Sequence, residues 1–267
     1  MEHIFRNWET LKEKLRGKYL FIFLDYDGTL TPIVKTPEQA VLSKEIREIL
    51  KILSENPYCK IAIISGRSLE DVKNKFNLRN LVYSGNHGLE IEGPKIKYIT
   101  SVSSGYRKII NQIKDELSKK IIPFKGAFIE DKGLSIALHF RNVDQKQASI
   151  IKTIFHEVII VYLVKNKIKV KPGKKVLEVR PPLEWDKGKV VLWLLARQKF
   201  ARIKKEILSV YIGDDTTDED AFKAIQRIGI TILVGKTKGS HARYCLRNHD
   251  EVKEFLERIV KLQKEAI

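Results

Sequence analysis

Six consecutive apolar residues, Tyr19 to Leu24, end at two carboxylates, Asp25 and Asp27, followed at once by Gly28. A strand that is apolar on both faces has to be covered on both faces, which is the situation of a parallel sheet with helices on either side. The rest of the patterning agrees. Ile61 to Ile64, Leu81 to Tyr83, Val210 to Ile212 and Ile230 to Val234 read as further buried strands. Between the first two strands, Ile46, Ile49, Leu50 and Leu53 form a helical stripe that Ser43 is placed to cap. Ser68 is placed to start another helix with Asp71 as its capping-box partner, and Asp250 to cap a last helix burying Val252, Phe255, Leu256 and Ile259. This alternation predicts a doubly wound, Rossmann-like α/β core.

The middle of the chain has a different grain. Tyr106, Ile109, Ile110, Ile113 and Leu117 make one helical stripe, and Leu134 to Phe140 alternates strictly between apolar and other residues. Strict alternation belongs to a half-exposed antiparallel strand. A helix around Ala148 to Phe155 and strands up to Val179 complete the unit. The expected organisation is a core of residues 1–100 and 181–267 into which a smaller α+β cap domain, 101–180, is inserted. No internal repeat or low-complexity segment interrupts it.

Composition narrows the function classes. No apolar run approaches the roughly 20 residues that span a bilayer, and the N-terminus, with Glu2, His3 and Arg6, has no signal-peptide core. A cytoplasmic protein without a membrane partner is expected. Cys59 and Cys245 lack metal-ligand spacing and read as reduced thiols. The net charge of +17 is spread along the whole chain, with no basic tail and no nucleic-acid motif. It implies a solvated basic surface that attracts small anions, and no nucleic-acid partner.

The chemistry sits at the strand ends, where open α/β sheets bind their ligands. Asp25 and Asp27 are like charges held close together, and a cation such as Mg2+, which prefers oxygen ligands, would offset them. The plainer alternative is a turn with solvated acids. Val210 to Ile212 likewise ends in Gly213-Asp214-Asp215-Thr216-Thr217-Asp218-Glu219-Asp220. Thr217 or Asp218 can cap the following helix, and Glu219 and Asp220 complement its dipole. That leaves Asp214 and Asp215 as the better metal candidates. Ser65-Gly66-Arg67 lies between a strand and a helix, so a hydroxyl and backbone N–H groups converge there on an anion. Trp185-Asp186-Lys187-Gly188 opens another helix, with Lys187 as a compact positive charge.

These four pieces, in this order, resemble the haloacid dehalogenase superfamily of phosphohydrolases, whose signature is Asp-x-Asp-x-Thr, a Ser or Thr, a Lys and an acidic pair. More narrowly, Gly85-Asn86-His87-Gly88-Leu89-Glu90, Glu178-Val179-Arg180-Pro181 and the Gly213 to Asp220 run resemble the trehalose-6-phosphate phosphatases. The resemblance implies that Asp25 is the nucleophile and forms an aspartyl-phosphate, with Asp27 as general acid and base. It implies Mg2+ held by the Asp25 carboxylate, the Asp27 backbone carbonyl and Asp214, with Asp215 and Asp218 orienting these groups and Lys187. Ser65 and Lys187 would neutralise the phosphoryl group. Substrate contacts would come from Ser65, Gly66, Arg67, Asn86 and His87 in the core. In the cap they would come from Glu178 and Arg180, with His139 and Arg141 on the same side of a neighbouring strand. The implied activity is Mg2+-dependent hydrolysis of trehalose 6-phosphate; separately, a monomer is expected. The alternatives are the same chemistry on sucrose phosphate, mannosyl-phosphoglycerate or phosphosugars in general. A non-catalytic module binding phosphosugar or nucleic acid is the reading from another class. Both Asp25 and Asp27 argue against it, since a binder needs no nucleophile.

Overall fold

In the computed structural model, which describes residues 1–34, 36–173, 175–199, 206–236 and 239–265, every residue of Tyr19–Leu24 is buried. Alternate side chains leave a strand on opposite faces, and here both faces meet a core. Leu20, Ile22 and Leu24 join one apolar cluster, while Phe21 and Phe23 join another.

The chain forms two compact units, Met1–Tyr98 with Trp185–Ile267, and Ile99–Glu184. In the larger unit the strands are β1 (Glu2–His3), β2 (Tyr19–Leu24), β3 (Cys59–Ile64), β4 (Val82–Gly85), β5 (Glu90–Gly93) and β6 (Ile96–Ile99). The smaller unit contributes β7 (Phe128–Asp131), β8 (Ile136–His139), β9 (Lys169–Gly173) and β10 (Val176–Arg180). The larger unit resumes with β11 (Ile207–Gly213), β12 (Gly229–Val234) and β13 (Tyr244–Leu246). The large sheet runs β1-β13-β12-β11-β2-β3-β4-β5-β6, parallel from β1 to β4 and antiparallel between β4 and β5. Its register aligns the carboxyl ends: Leu24 lies beside both Ile212 and Ile63, and Ile64 beside Ser84. Residues just past these positions therefore emerge together.

Helices α1 (Trp8–Leu15), α2 (Lys44–Glu55) and α3 (Leu69–Phe76) supply the core on one face. In the smaller unit α4 (Ser104–Ile121) and α5 (Gln145–Val164) follow, and the larger unit adds α6 (Lys187–Lys199), α7 (Glu219–Ile225) and α8 (His249–Glu265). α8 joins the first face, with Val252, Phe255, Leu256 and Ile259 buried. α6 and α7 cover the other through Val190, Val191, Leu194, Ala221, Phe222 and Ile225. This is the doubly wound arrangement that the apolar runs demand.

Local details depart from the sequence reading in three places. Ser68 caps α3 by accepting from the Asp71 N–H at 3.2 Å, but the Asp71 carboxylate turns to Arg67, so the expected capping box is half made. α8 begins at His249, and Asn248, not Asp250, accepts the N–H of Glu251 at 3.1 Å. A cap must stand just outside the first turn, and Asp250 is already within it. The third concerns membrane spans: α5 is long and apolar enough to cross a bilayer by length and composition, whereas the sequence reading found no such run. Its stripe of Ala148, Ile151, Phe155, Val158 and Ile159 is buried within the smaller unit, interrupted on the outer side by Lys146, Lys152 and Glu157.

The small sheet, β7-β8-β10-β9, is antiparallel throughout. Ile136, Leu138, Leu177 and Val179 face α4 and α5 in a shared core. Parity then assigns the opposite face to Glu130, His139, Glu178 and Arg180, with Glu178 and Glu130 both opposite Ala137.

Burial separates the two cysteines chemically. The Cys59 thiol is pushed up to about 12 by burial, while Cys245 is only partly buried. A thiolate-seeking reagent such as a disulfide dye should therefore titrate Cys245 in the native protein and Cys59 only after denaturant is added. Equal labelling rates in the native state would contradict this assignment.

Candidate active site

The carboxyl ends of β2 and β11 are joined where the Asp25 N–H donates to the Ile212 carbonyl at 3.0 Å. The Lys187 ammonium, at the first position of α6, donates to Asp25 Oδ1 and to Asp218 Oδ1, each at 2.7 Å. Asp186 caps that helix through the Lys189 N–H at 2.8 Å, which fixes where Lys187 starts. All three charged groups are buried. Asp218 stands at the N-cap position of α7 but makes no capping bond there. Its side chain turns back instead. Oδ1 also accepts from the Tyr211 hydroxyl at 2.7 Å, and Oδ2 accepts from the N–H groups of Asp214 and Asp215, each at 3.0 Å. The capping role expected of it is thus replaced by a role in holding Lys187 and the β11 loop.

Two glycines permit this crowding. Gly28 has φ +90°, and a Cβ there would lie 2.3 Å from Asp214 Oδ2. At Gly213 a Cβ would lie 2.2 Å from Asp218 Cγ. The two acidic loops touch only because neither position carries a side chain.

The electrostatics follow from burial and proximity. Burial pushes the Asp25 carboxyl up, Lys187 opposes that, and Asp218, Asp214 and Asp215 push it further, leaving it well above the ordinary carboxylate range. Burial alone would pull Lys187 down, yet Asp218 and Asp25 outweigh it and hold the ammonium charged. Burial also raises Asp215, but Lys187 and the bonds from Thr217 Oγ1 (2.6 Å) and N–H (2.7 Å) leave it below the ordinary range. Four carboxylates therefore share one ammonium, and the surplus of negative charge calls for a further cation. Oxygens of Asp25, Asp214 and Asp218 lie within 4.8 Å of one another, an all-oxygen donor set suited to a hard ion. Both Asp218 oxygens already accept two hydrogen bonds each, so Asp25 and Asp214 are the better carboxylate donors.

Asp27 takes a different position. Its carboxylate is held by Arg67, with Nε to Oδ2 and Nη2 to Oδ1 both at 2.7 Å, and is not among the clustered oxygens of Asp25, Asp214 and Asp218. The family resemblance implies that Arg67 contacts substrate, but its guanidinium is engaged by Asp27, by Asp71 Oδ2 at 2.7 Å and by the Pro37 carbonyl at 2.8 Å. The i, i+4 spacing of Arg67 and Asp71 was a visible signal for part of this cluster. Ser65 is buried at the end of β3, its Oγ accepting from the Arg67 N–H at 3.2 Å. Asn86 and His87 both adopt left-handed backbone (φ 49° and 53°) and tie their loop to this one, His87 N–H to the Ser65 carbonyl at 2.9 Å. The turn lays the imidazole on Gly66, where a Cβ would lie 2.3 Å from Nε2. Asn86 Nδ2 donates to Glu90 at 2.7 Å.

The polar face of the small sheet gathers a second cluster. Glu178 accepts from Ser135 Oγ at 2.8 Å and from Arg180 Nη2 at 2.5 Å, with the Lys132 ammonium 3.5 Å away. His139 Nε2 bonds Glu130 at 2.8 Å and its ring stacks on Phe128 at 4.6 Å. Arg180 Nε is buried with no acceptor among the described residues. Arg141 lies past the end of β8 and is exposed. Glu130 and Lys132 carry no signal in the sequence: β7 is short, its register against β8 appears only in the folded sheet, and Lys132 lies in the turn between the two strands.

The family model described as trehalose-phosphatase matches residues 23–251. Trehalose-phosphate phosphatase B of Arabidopsis thaliana is 36% identical over 264 residues, covering 94% of this chain and 69% of the relative. Trehalose 6-phosphate phosphatase RA3 of Zea mays is 36% identical over 270 residues, covering 94% and 73%. Among solved structures, the C-terminal domain of C. albicans trehalose-6-phosphate phosphatase superposes with a TM-score of 0.81 over 97% of this chain and 98% of that one. At 24% identity that likeness concerns the fold.

Removing the shared cation should be costly. Lys187→Met leaves Asp25 and Asp218 buried against each other, and stability in urea unfolding at neutral pH should fall by about 3–5 kcal/mol. The deficit should shrink as pH is lowered, because carboxyls raised by burial take up protons more readily folded than unfolded. A loss that stays constant with pH would mean that the carboxylates are not what Lys187 compensates.

Proposed function

The chain belongs to the trehalose-phosphatase family, and from that premise we propose that it hydrolyses trehalose 6-phosphate to trehalose and phosphate through Asp25. The observation that carries this reading is the buried Asp25–Lys187–Asp218 group at the carboxyl ends of the central strands. A carboxylate held in place beside a fixed ammonium is arranged to meet a phosphoryl group, and Lys187 can pass from Asp25 to the phosphoryl oxygens as charge moves onto them.

In the first half-reaction an Asp25 oxygen bonds to phosphorus while the bond from phosphorus to the sugar oxygen breaks. The electron pair goes to the sugar oxygen, which takes a proton from Asp27. The aspartyl-phosphate is then attacked by water, whose proton returns to Asp27, and phosphate is released with Asp25 restored. The Ser65 hydroxyl and the Gly66 N–H hold the phosphoryl oxygens. Mg2+, held by the Asp25 carboxylate, the Asp27 backbone carbonyl and Asp214, would supply positive charge to offset the crowded carboxylates and the phosphate. Asn86 and His87, tied to the Ser65 loop, contact the substrate. The smaller unit acts as the specificity domain, its Glu178, Arg180, Lys132 and His139 offering the directed donors and acceptors that sugar hydroxyls require.

A panel of phosphosugars tests the substrate: trehalose 6-phosphate should be turned over fastest, and activity confined to sucrose phosphate or another ester would replace it. Asp25→Asn should abolish turnover while the thermal midpoint holds or rises, since a neutral amide relieves the repulsion among buried carboxylates. Chelation should remove activity and added Mg2+ restore it. Glu178→Ala should lower kcat/KM on trehalose 6-phosphate about 100-fold, the cost of losing charged hydrogen bonds worth up to about 3 kcal/mol. A small aryl phosphate should be nearly unaffected, and equal losses on both would remove Glu178 from sugar recognition.

A further inference from the structure

We infer that Arg67 is the positioning residue of Asp27, orienting its carboxylate for proton transfer to the departing sugar oxygen and leaving the phosphate to other groups. The inference rests on the proposed reaction, in which Asp27 moves that proton.

The geometry is that of a clamp on a clamp. Arg67 holds both Asp27 oxygens in a planar fork, at 2.7 Å each. The guanidinium is itself fixed from three further directions, by Asp71 Oδ2 at 2.7 Å, the Pro37 carbonyl at 2.8 Å and the face of Tyr26, 5.2 Å from guanidinium carbon to ring centroid. Tyr26 is buried and tied by its hydroxyl to the Ala40 carbonyl at 2.9 Å. The Arg67 side chain is 7% exposed, against 42% for Asp27. A carboxylate so open to solvent has little packing to orient it, so its direction is set by the fork. Four of the five guanidinium N–H groups are thereby directed at protein acceptors, which leaves Arg67 little to offer a phosphate. Each Asp27 oxygen keeps a second lone pair, so the fork can fix the carboxylate plane while one oxygen exchanges a proton. As the bond from phosphorus to oxygen breaks and the electron pair moves to the sugar oxygen, the Asp27 proton passes to that oxygen and Asp27 is left as carboxylate against Arg67.

Lysine cannot reproduce a planar fork, and misplacement by about 1 Å costs on the order of 100-fold in rate. The test compares kcat/KM, which reports steps up to alcohol departure, for trehalose 6-phosphate and p-nitrophenyl phosphate. The sugar alkoxide needs a proton to leave, and the nitrophenolate does not. Arg67→Lys should lower kcat/KM about 10- to 100-fold on the sugar ester and less than about threefold on the aryl ester. In an Asp27→Asn background the same substitution should add nothing on the sugar ester, as expected for residues acting through one another. Asp71→Asn, which removes one anchor but leaves Arg67, should show the same selectivity at smaller size, and carries the comparison if Arg67→Lys fails to fold. Parallel losses on both esters, or a loss that persists without Asp27, would overturn the inference and assign Arg67 to structure or to direct substrate contact. If the unaltered protein cleaved the aryl ester but no phosphosugar, the substrate reading would fall. If it cleaved neither, the phosphatase reading would fall with this inference.

Discussion

A single buried ammonium, that of Lys187, stands between two carboxylates that could not otherwise share the interior. Breaking such a group leaves uncompensated charge in a medium that solvates it poorly. The surrounding architecture follows from keeping it intact. Asp25 has to lie past the end of β2, Asp218 has to turn away from the helix it precedes, and α6 has to begin at residue 187. Tyr211, buried on β11, gives its hydroxyl to Asp218. The backbone of the next loop gives two N–H groups to the same carboxylate. What holds the acidic loops in register is therefore the satisfaction of one side chain at the N-cap of α7.

Much of this was legible in the sequence because it depends on short-range pattern. Continuous apolar runs with acids at their ends required a parallel sheet and placed a charged cluster at its carboxyl edge. Strict alternation around Leu134 to Phe140 identified an antiparallel unit with a polar face. The parts that were not legible depend on where side chains turn after the backbone is set. Asp218 reads as a helix cap by position, and only the nearness of Lys187 and Tyr211 explains why it faces the other way. Arg67 reads as an anion contact because it follows a strand end. Its actual partners lie at Asp27, Pro37 and Asp71, and sequence spacing signals only the last.

The small sheet repeats the lesson. Glu178 and Arg180 carry a family motif, but Glu130 enters the same cluster through strand register, and Lys132 and Ser135 through the turn that joins β7 to β8. A buried Arg180 Nε without an acceptor is unusual, since such donors are nearly always paired. It gives the polar face an unmet hydrogen-bonding demand of the kind that a sugar oxygen satisfies.

The place of β2 in the sheet has a consequence for timing. Its neighbours are β3, made soon after it, and β11, made only when the ribosome has passed residue 213. Until then the nascent chain carries β2 as an apolar strand with one edge open, a long-range pairing that is slow to close. The inserted unit, residues 99–184, has its own core and is complete before that edge is covered. Domains emerge and fold as units, so the order of synthesis completes the smaller unit before β11 and the loop after it bring Asp214, Asp215 and Asp218 to the acidic cluster.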